Sequence, residues 1–187
     1  MDKIELLTGI LVKTEDVIEG VKKDMRQFPT PCPDYKVEDL VNHIVGWLQV
    51  FDSDCNGLTH DGNAAEYRCQ IHPATEFHTA ATSLVDGWIK YGFDRNIHMM
   101  GSEMPAEMVF NMTVMEYLTH GWDLATATGQ PIPYTEQEAE ATLTRAVSTL
   151  PAQYRGENMP FGNIVEIAGS APAIDRLIGF MGRKTGV

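Results

Sequence analysis

A short segment in the second half of the chain carries residues that could bind a metal ion. In Met115-Glu116-Tyr117-Leu118-Thr119-His120, the carboxylate and the imidazole are four residues apart, so in a helix they lie on one face. Apolar residues continue that face toward Met112 and Val109. An ionised carboxylate in apolar surroundings is costly unless a positive charge lies beside it. No Lys or Arg occurs within two turns on this helix, so the pattern predicts an external cation, most simply a metal.

His43 is the candidate for a third metal-binding side chain. It lies in Val41-Asn42-His43-Ile44-Val45-Gly46-Trp47, at the edge of an apolar helical stripe, and we expect it to point into the protein. Imidazole and carboxylate bind Zn²⁺, and they also accept Ni²⁺ or Fe²⁺. Two His and one carboxylate leave coordination positions open, as in catalytic rather than structural sites. Zinc is the first choice of metal.

These residues also have simpler structural explanations. A single His on an apolar face is more often a hydrogen-bonded core residue than a ligand. Glu116 and His120 could also pair with each other without a metal. If a metal is bound, Asp123 and Asp39 are candidates to accept the second ring N–H of a ligand histidine. Asp123 follows His120 by three residues, and Asp39 precedes His43 by four.

Other reactive residue types have weaker claims to a function. Arg176 and Arg183 are candidates for binding an anionic group, although a surface or helix-capping role is favoured for both. Cys32 lies near the start of the His43 helix, where a thiol pKa can be lowered, but we expect it to be an ordinary thiol. We expect the remaining histidines at the surface: His60, His72, His78 and His98.

Apolar periodicity and helix-boundary residues place the candidate ligands on helices. The helix that carries Glu116 is apolar nearly all round, which is typical of a central, buried helix. Gly92–Met104 is expected to be irregular with one short extended piece, and Phe161–Ile167 to be extended. The predicted helices cover about Asp2–Met25, Tyr35–Asp54, Pro73–Tyr91, Pro105 to the residue before Gly129, Thr135–Leu150 (with a capping box to Glu138) and Pro172–Met181. This pattern predicts an all-α four-helix bundle with a short C-terminal extension.

Composition limits the class of partner. A chain of 187 residues corresponds to roughly one domain of ~150 residues, here taken as 1–187. Its net charge of −12 argues against nucleic acid and anionic membranes as partners. Three cysteines without a CxxC motif, and no signal peptide or spanning segment, predict a cytoplasmic protein. We expect small-molecule partners, and a homodimer is one of the oligomeric states left open.

Two segments carry a resemblance to a known family. PTPCPDYKVEDLVNHIVG (Pro29–Gly46) followed by MEYLTHGWDLATATGQ (Met115–Gln130) resembles the DinB-like superfamily. Within it, the match is to the mycothiol-dependent maleylpyruvate isomerase N-terminal-like proteins of actinobacteria. The closing DRLIGFMGR (Asp175–Arg183) resembles the end of the stand-alone members. Tyr35 stands where relatives often carry Trp, a difference that we expect to be minor.

The resemblance implies a four-helix bundle that holds a divalent metal through a His of the second helix and a Glu/Asp-x-x-x-His of a later one. Those positions fall on His43, Glu116 and His120. It also implies mycothiol as a low-molecular-weight thiol cosubstrate. With 187 residues, we expect the chain to lack the second domain of the true isomerase and to share its metal-and-thiol chemistry.

The predicted function is thiol-dependent transfer or isomerisation, in which a metal-bound thiolate attacks a small electrophilic molecule. Metal-dependent hydrolysis is a variant of the same site. A non-catalytic metal-binding or regulatory bundle is the alternative from another class, and a bundle with an internal Glu–His pair and no metal is the third. The sequence leaves open whether the protein is an enzyme and what its substrate is.

Overall fold

A computed structural model describes residues 1–33, 35–58, 63–156 and 161–185. The described chain is mainly helical with one small antiparallel hairpin, which confirms the predicted fold class. The helices are α1 (Lys3–Glu19), α2 (Val37–Cys55), α3 (Pro73–Tyr91), α4 (Ala106–Thr128), α5 (Glu136–Thr149) and α6 (Ala173–Phe180). The strands are β1 (Asn96–Met99) and β2 (Ser102–Pro105).

Helices α1 to α4 form the bundle that carries the predicted site. Both α1 and α2 pack against α3 and α4, so the four helices close around one core. Helix α5 packs on α4, and α6 packs on α5. Because α4 contacts α1, α2 and α5, it has apolar neighbours on most of its circumference, as its sequence pattern predicts.

The ends of the helices follow local capping chemistry. Helix α1 begins after Asp2, whose carboxylate accepts from the backbone N–H groups of Ile4 and Glu5. The expected extension of this helix to Met25 is wrong, because the chain leaves the helix at Gly20 and forms a short 3-10 turn at Lys23–Met25. The bounds of α3 are those predicted, and the capping box of Thr135 and Glu138 at the start of α5 is present.

The segment between α3 and α4 is more regular than its sequence suggests. Strands β1 and β2 form a hairpin through Met100 and Gly101, whose φ angles are 53° and 76°. Two positive φ angles are typical of the tight type I′ turn, and Gly101 adopts one without strain while Met100 does so rarely. The sequence therefore indicates the turn through Gly101 but not through Met100. The extended segment expected at Phe161–Ile167 has no regular strand and forms one β-bridge, between Phe161 and Arg155.

Within the described ranges, none of the helices combines the length and the apolar character that crossing a bilayer requires.

Candidate metal centre

The three predicted ligand side chains lie together where α2 meets α4. His43 Nε2 is 3.0 Å from Glu116 Oε1, and His120 Nε2 is 3.6 Å from the same oxygen. The centroids of the two imidazole rings are 5.0 Å apart. One nitrogen or oxygen of each residue lies within 4.8 Å of those of the other two, so the set could hold one metal ion.

Apolar packing along the two helices positions these polar groups. Leu40 and Ile44 lie on either side of His43 along α2 and are fully buried, as are Val114 and Leu118 around Glu116 on α4. The side chains of His43, Glu116 and His120 are themselves only 15%, 22% and 10% exposed. Hydrophobic packing between α2 and α4 therefore holds three polar side chains largely buried from solvent.

Each histidine has a hydrogen-bond partner at its second ring nitrogen. His120 Nδ1 is 3.0 Å from Asp123 Oδ2, and His43 Nδ1 is 2.9 Å from the Tyr35 hydroxyl oxygen. Because a carboxylate only accepts, Nδ1 of neutral His120 carries the proton and Nε2 presents a lone pair. The expected contact of Asp39 with His43 is absent among the described residues, and Tyr35 occupies that role.

Arg183 brings a positive charge that the sequence did not place near the site. Its Nη2 donates to Asp123 Oδ2 at 2.9 Å, and its Nε donates to Oδ1 at 3.3 Å. The Arg183 side chain is 11% exposed and that of Asp123 is fully buried. Two expectations are therefore wrong: a cation does lie close to the Glu116 helix, and Arg183 is not a surface or capping residue. By contrast, Arg176 pairs with Glu140 near the surface, as expected.

Both acidic side chains are held ionised. Burial alone would raise the pKa of Glu116, but His120, His43 and Arg183 outweigh it and lower that pKa from 4.5 to about 2. Burial also opposes ionisation of Asp123, yet the hydrogen bond from His120 and the charge of Arg183 lower the pKa of this carboxyl. The charge of the Arg183 guanidinium is thus balanced by Asp123. Glu116 instead has the imidazole of His43 as its hydrogen-bonding partner.

The arrangement around Glu116 has a definite electrostatic consequence. When both histidines carry their proton on Nδ1, two ring lone pairs and a carboxylate oxygen face one another without a hydrogen between them. Such a group is repulsive unless a proton or a metal ion lies within it. The donor set of two nitrogens and one oxygen is one that zinc accepts.

Tyr35 and Cys32 are close to the centre, and the sequence did not single them out for this. The Tyr35 hydroxyl oxygen lies 2.9 Å from His43 Nδ1. Donor atoms of Cys32, His120 and Asp123 also lie within 4.8 Å of one another. Both Cys32 and Tyr35 lie in the segment just before α2, so proximity to the His43 motif was the available signal.

The remaining histidines lie apart from this centre where the structure describes them. His72, His78 and His98 have side chains that are 59%, 65% and 68% exposed, as expected. His60 lies outside the described residues.

Comparison with known proteins identifies the family of the chain. Two uncharacterised proteins of Mycobacterium tuberculosis, from strains CDC 1551 / Oshkosh and ATCC 25618 / H37Rv, are each 26% identical to the chain over 172 residues. The alignments cover 89% of this chain and 90% of each relative. No solved structure gives a significant match. The family model described as the mycothiol maleylpyruvate isomerase N-terminal domain matches residues 10–125, a range that includes all three candidate ligands. The chain therefore belongs to the mycothiol maleylpyruvate isomerase N-terminal domain family, which is DinB-like.

Proposed function

We propose that the protein binds one divalent metal ion through His43, Glu116 and His120 and uses a low-molecular-weight thiol to attack a small electrophilic molecule. The observation that carries the metal is the meeting of two imidazole Nε2 atoms at one carboxylate oxygen, at 3.0 and 3.6 Å. The family supports a thiol partner, and mycothiol is the first candidate. Transfer of the thiol and thiol-dependent isomerisation are the reaction classes that this combination favours.

The donor set fits a divalent ion of the zinc type. Two imidazole nitrogens and one carboxylate oxygen are ligands of catalytic zinc, and nickel and ferrous iron accept them too. Three protein ligands leave at least one position for an exogenous molecule. When bound, such an ion lowers the pKa of a coordinated thiol or water and so supplies a nucleophile at neutral pH.

The surrounding side chains prepare the ligands for this role. Asp123 accepts the Nδ1 proton of His120, which fixes the tautomer that has a lone pair on Nε2. Tyr35 does the same for His43 when its hydroxyl oxygen accepts from Nδ1. Arg183 keeps Asp123 ionised although that carboxylate is fully buried, so the acceptor for His120 persists.

The test of the metal centre is elemental analysis of protein purified without a metal-affinity tag. We expect about one divalent ion per chain, and loss of most of it in His43→Ala, Glu116→Ala and His120→Ala. His78→Ala is the matched control, because that histidine is 65% exposed and lies on α3. Wild-type protein that stays metal-free after zinc and nickel reconstitution, or an equal loss in the control, contradicts the proposal.

The test of the thiol uses cobalt-substituted protein. A thiolate bound to cobalt gives a strong sulfur-to-metal charge-transfer band, and its binding releases a proton because only the thiolate coordinates. We expect this band on addition of mycothiol, with bacillithiol and glutathione for comparison. The experiment is done in Cys32→Ser, which removes a protein thiol that lies within 4.8 Å of donor atoms of His120 and Asp123. If no thiol changes the spectrum at millimolar concentration, a metal-dependent hydrolase or a non-catalytic metal-binding module becomes the better account.

A further inference from the structure

Residues 181–185, which we call the C-terminal strap, connect α6 to the candidate metal centre. Gly182 has a φ angle of 84°, a left-handed conformation that turns the chain at the end of α6. The backbone N–H groups of Gly182 and Arg183 donate to carbonyl oxygens in the last turn of α6, at 3.0 Å each. The strap is thus tied to α6 by its backbone and to Asp123 on α4 by the Arg183 side chain.

The contact between the strap and α4 is an ion pair inside the protein. Asp123 accepts from Arg183 on both carboxylate oxygens and from His120 Nδ1 on one of them. The Asp123 side chain is fully buried, and that of Arg183 is 11% exposed. If the strap moved away, Asp123 would keep its burial and lose its cation, which is strongly unfavourable. The seated strap therefore holds Asp123 in place as the acceptor for His120.

Metal binding acts on the same three side chains from the other end. When His120 ligates through Nε2, its Nδ1–H becomes a stronger donor to Asp123, and hydrogen bonds in such a chain reinforce one another. The ion and Arg183 repel each other. Asp123, however, contacts both His120 and Arg183 at 3.0 and 2.9 Å, so attraction at these short distances outweighs the more distant repulsion.

We propose that Arg183 is a positioning residue of the metal centre, and that the seated strap and the bound metal ion stabilise each other. This inference rests on the metal part of the proposed function and does not involve the thiol. By thermodynamic linkage, the factor by which release of the strap weakens metal binding equals the factor by which the metal favours the seated strap. Hydrogen-bond partners of ligand histidines change metal affinity about tenfold or more, so a factor of about ten is expected.

Amide hydrogen exchange of the full wild-type chain, with and without zinc, measures the seating of the strap. We expect zinc to slow exchange in the strap about tenfold, because the strap opens less often when the metal is bound. The hairpin β1–β2 is the internal control, because it adjoins the start of α4, away from His120. Its amides should slow much less than those of the strap.

Zinc affinity of an arginine variant tests the positioning role. Arg183→Met should weaken zinc binding about tenfold, measured by competition with a chromophoric chelator, and should remove the zinc-dependent slowing of exchange in the strap. Arg183→Lys keeps the charge and should restore part of both. Arg176→Met is the matched control, because Arg176 belongs to α6 and pairs with Glu140 nearer the surface. It should change neither measurement.

A second variant displaces the strap and leaves every ion pair intact. In Gly182→Ala, a side chain is forced into the left-handed conformation, and its Cβ lies 3.1 Å from backbone atoms of Gly162. We expect zinc binding to weaken, although Gly182 is not one of the three ligands. Gly92→Ala is the matched control, because Gly92 has a φ angle of 68° and open space around it at the end of α3. Its zinc affinity should equal that of wild type.

The results that overturn the inference differ from those that overturn the metal centre. If zinc binds the wild type but slows exchange in the strap no more than in the hairpin, the strap and the ion are not coupled and the metal centre stands. If Arg183→Met binds zinc as tightly as wild type, Arg183 serves the fold alone. If the wild type binds no zinc, the proposed metal centre fails and the coupling fails with it.

Discussion

Two glutamates in the helical core have opposite surroundings. Glu138 at the start of α5 accepts from Lys13 Nζ at 2.6 and 2.5 Å on its two oxygens, and from the backbone N–H and hydroxyl of Thr135 at 2.8 Å each. Glu116 on α4 instead faces two imidazoles that meet at one of its oxygens. The first carboxylate has its own cation and contributes to the fold. The second has its charge stabilised by imidazoles whose Nε2 atoms could also bind a metal ion. This difference in partners separates a structural carboxylate from a candidate ligand.

The largest effect that distinguishes the two regions is expected for Lys13→Met. Removing one partner of a buried ion pair leaves an uncompensated charge, which costs about 3–5 kcal/mol. We expect about 3 kcal/mol, at the lower end of that range, because the Lys13 side chain is 26% exposed. Urea unfolding measures the loss, and the metal content should stay at one ion per chain. A change below about 1 kcal/mol would show that Glu138 does not depend on its lysine.

Chelation should affect only the Glu116 region. An ion that binds the folded chain stabilises it by roughly 2.7 kcal/mol at a hundredfold excess over Kd, so EDTA should lower the melting temperature without unfolding the protein at 25 °C. On chelation, Lys13→Met should lose the same free energy of unfolding as wild type, and Glu116→Ala should lose none. Complete unfolding on chelation would mean that the metal is structural and that the bundle core is insufficient without it.

Acid should reveal the ionisation of Glu116 in metal-free protein. Its pKa is about 2 in the folded chain and 4.5 without the fold, so its contribution to stability is complete above pH 4.5 and is lost as the pH falls toward 2. Protonation of Glu116 lowers the free energy of unfolding by at most about 1.4 kcal/mol per pH unit. When the free energy of unfolding is measured with urea between pH 5 and 3, it should depend less on pH in Glu116→Gln than in wild type. Parallel curves would contradict the lowered pKa.

The smallest effect is expected for the Tyr35 hydroxyl. Tyr35→Phe removes its hydrogen bond to His43 Nδ1 and should weaken zinc binding about fivefold to tenfold, close to 1 kcal/mol. Competition with a chromophoric chelator measures the affinity. Tyr154→Phe is the control, because Tyr154 is 47% exposed and lies outside the site. Equal zinc affinity in both variants would show that the Tyr35 hydroxyl does not support His43 as a metal ligand.

The sequence predicted most of the helices and the grouping of the three candidate ligands for the same reason. Four-residue spacing puts Glu116 and His120 on one helix face, and apolar stripes turn that face and His43 toward the same core. Sequence could not place Arg183, which is 60 residues from Asp123 and arrives with the segment that follows α6. Such a contact depends on tertiary packing, and helical periodicity carries no information about it. The hairpin turn was missed because Met100 adopts a backbone conformation that its residue type rarely takes.

The separation of His43 from Glu116 by 73 residues has a consequence for folding kinetics. The two groups come from helices with all of α3 and the hairpin between them, so they meet only after a long loop has closed. An ion that needs both helices therefore recognises a nearly complete bundle and adds little to the early folding barrier. Its stabilisation should appear as a slower unfolding rate, and the folding rate should hardly change. The ion would then set the lifetime of the folded chain more than the speed at which it forms.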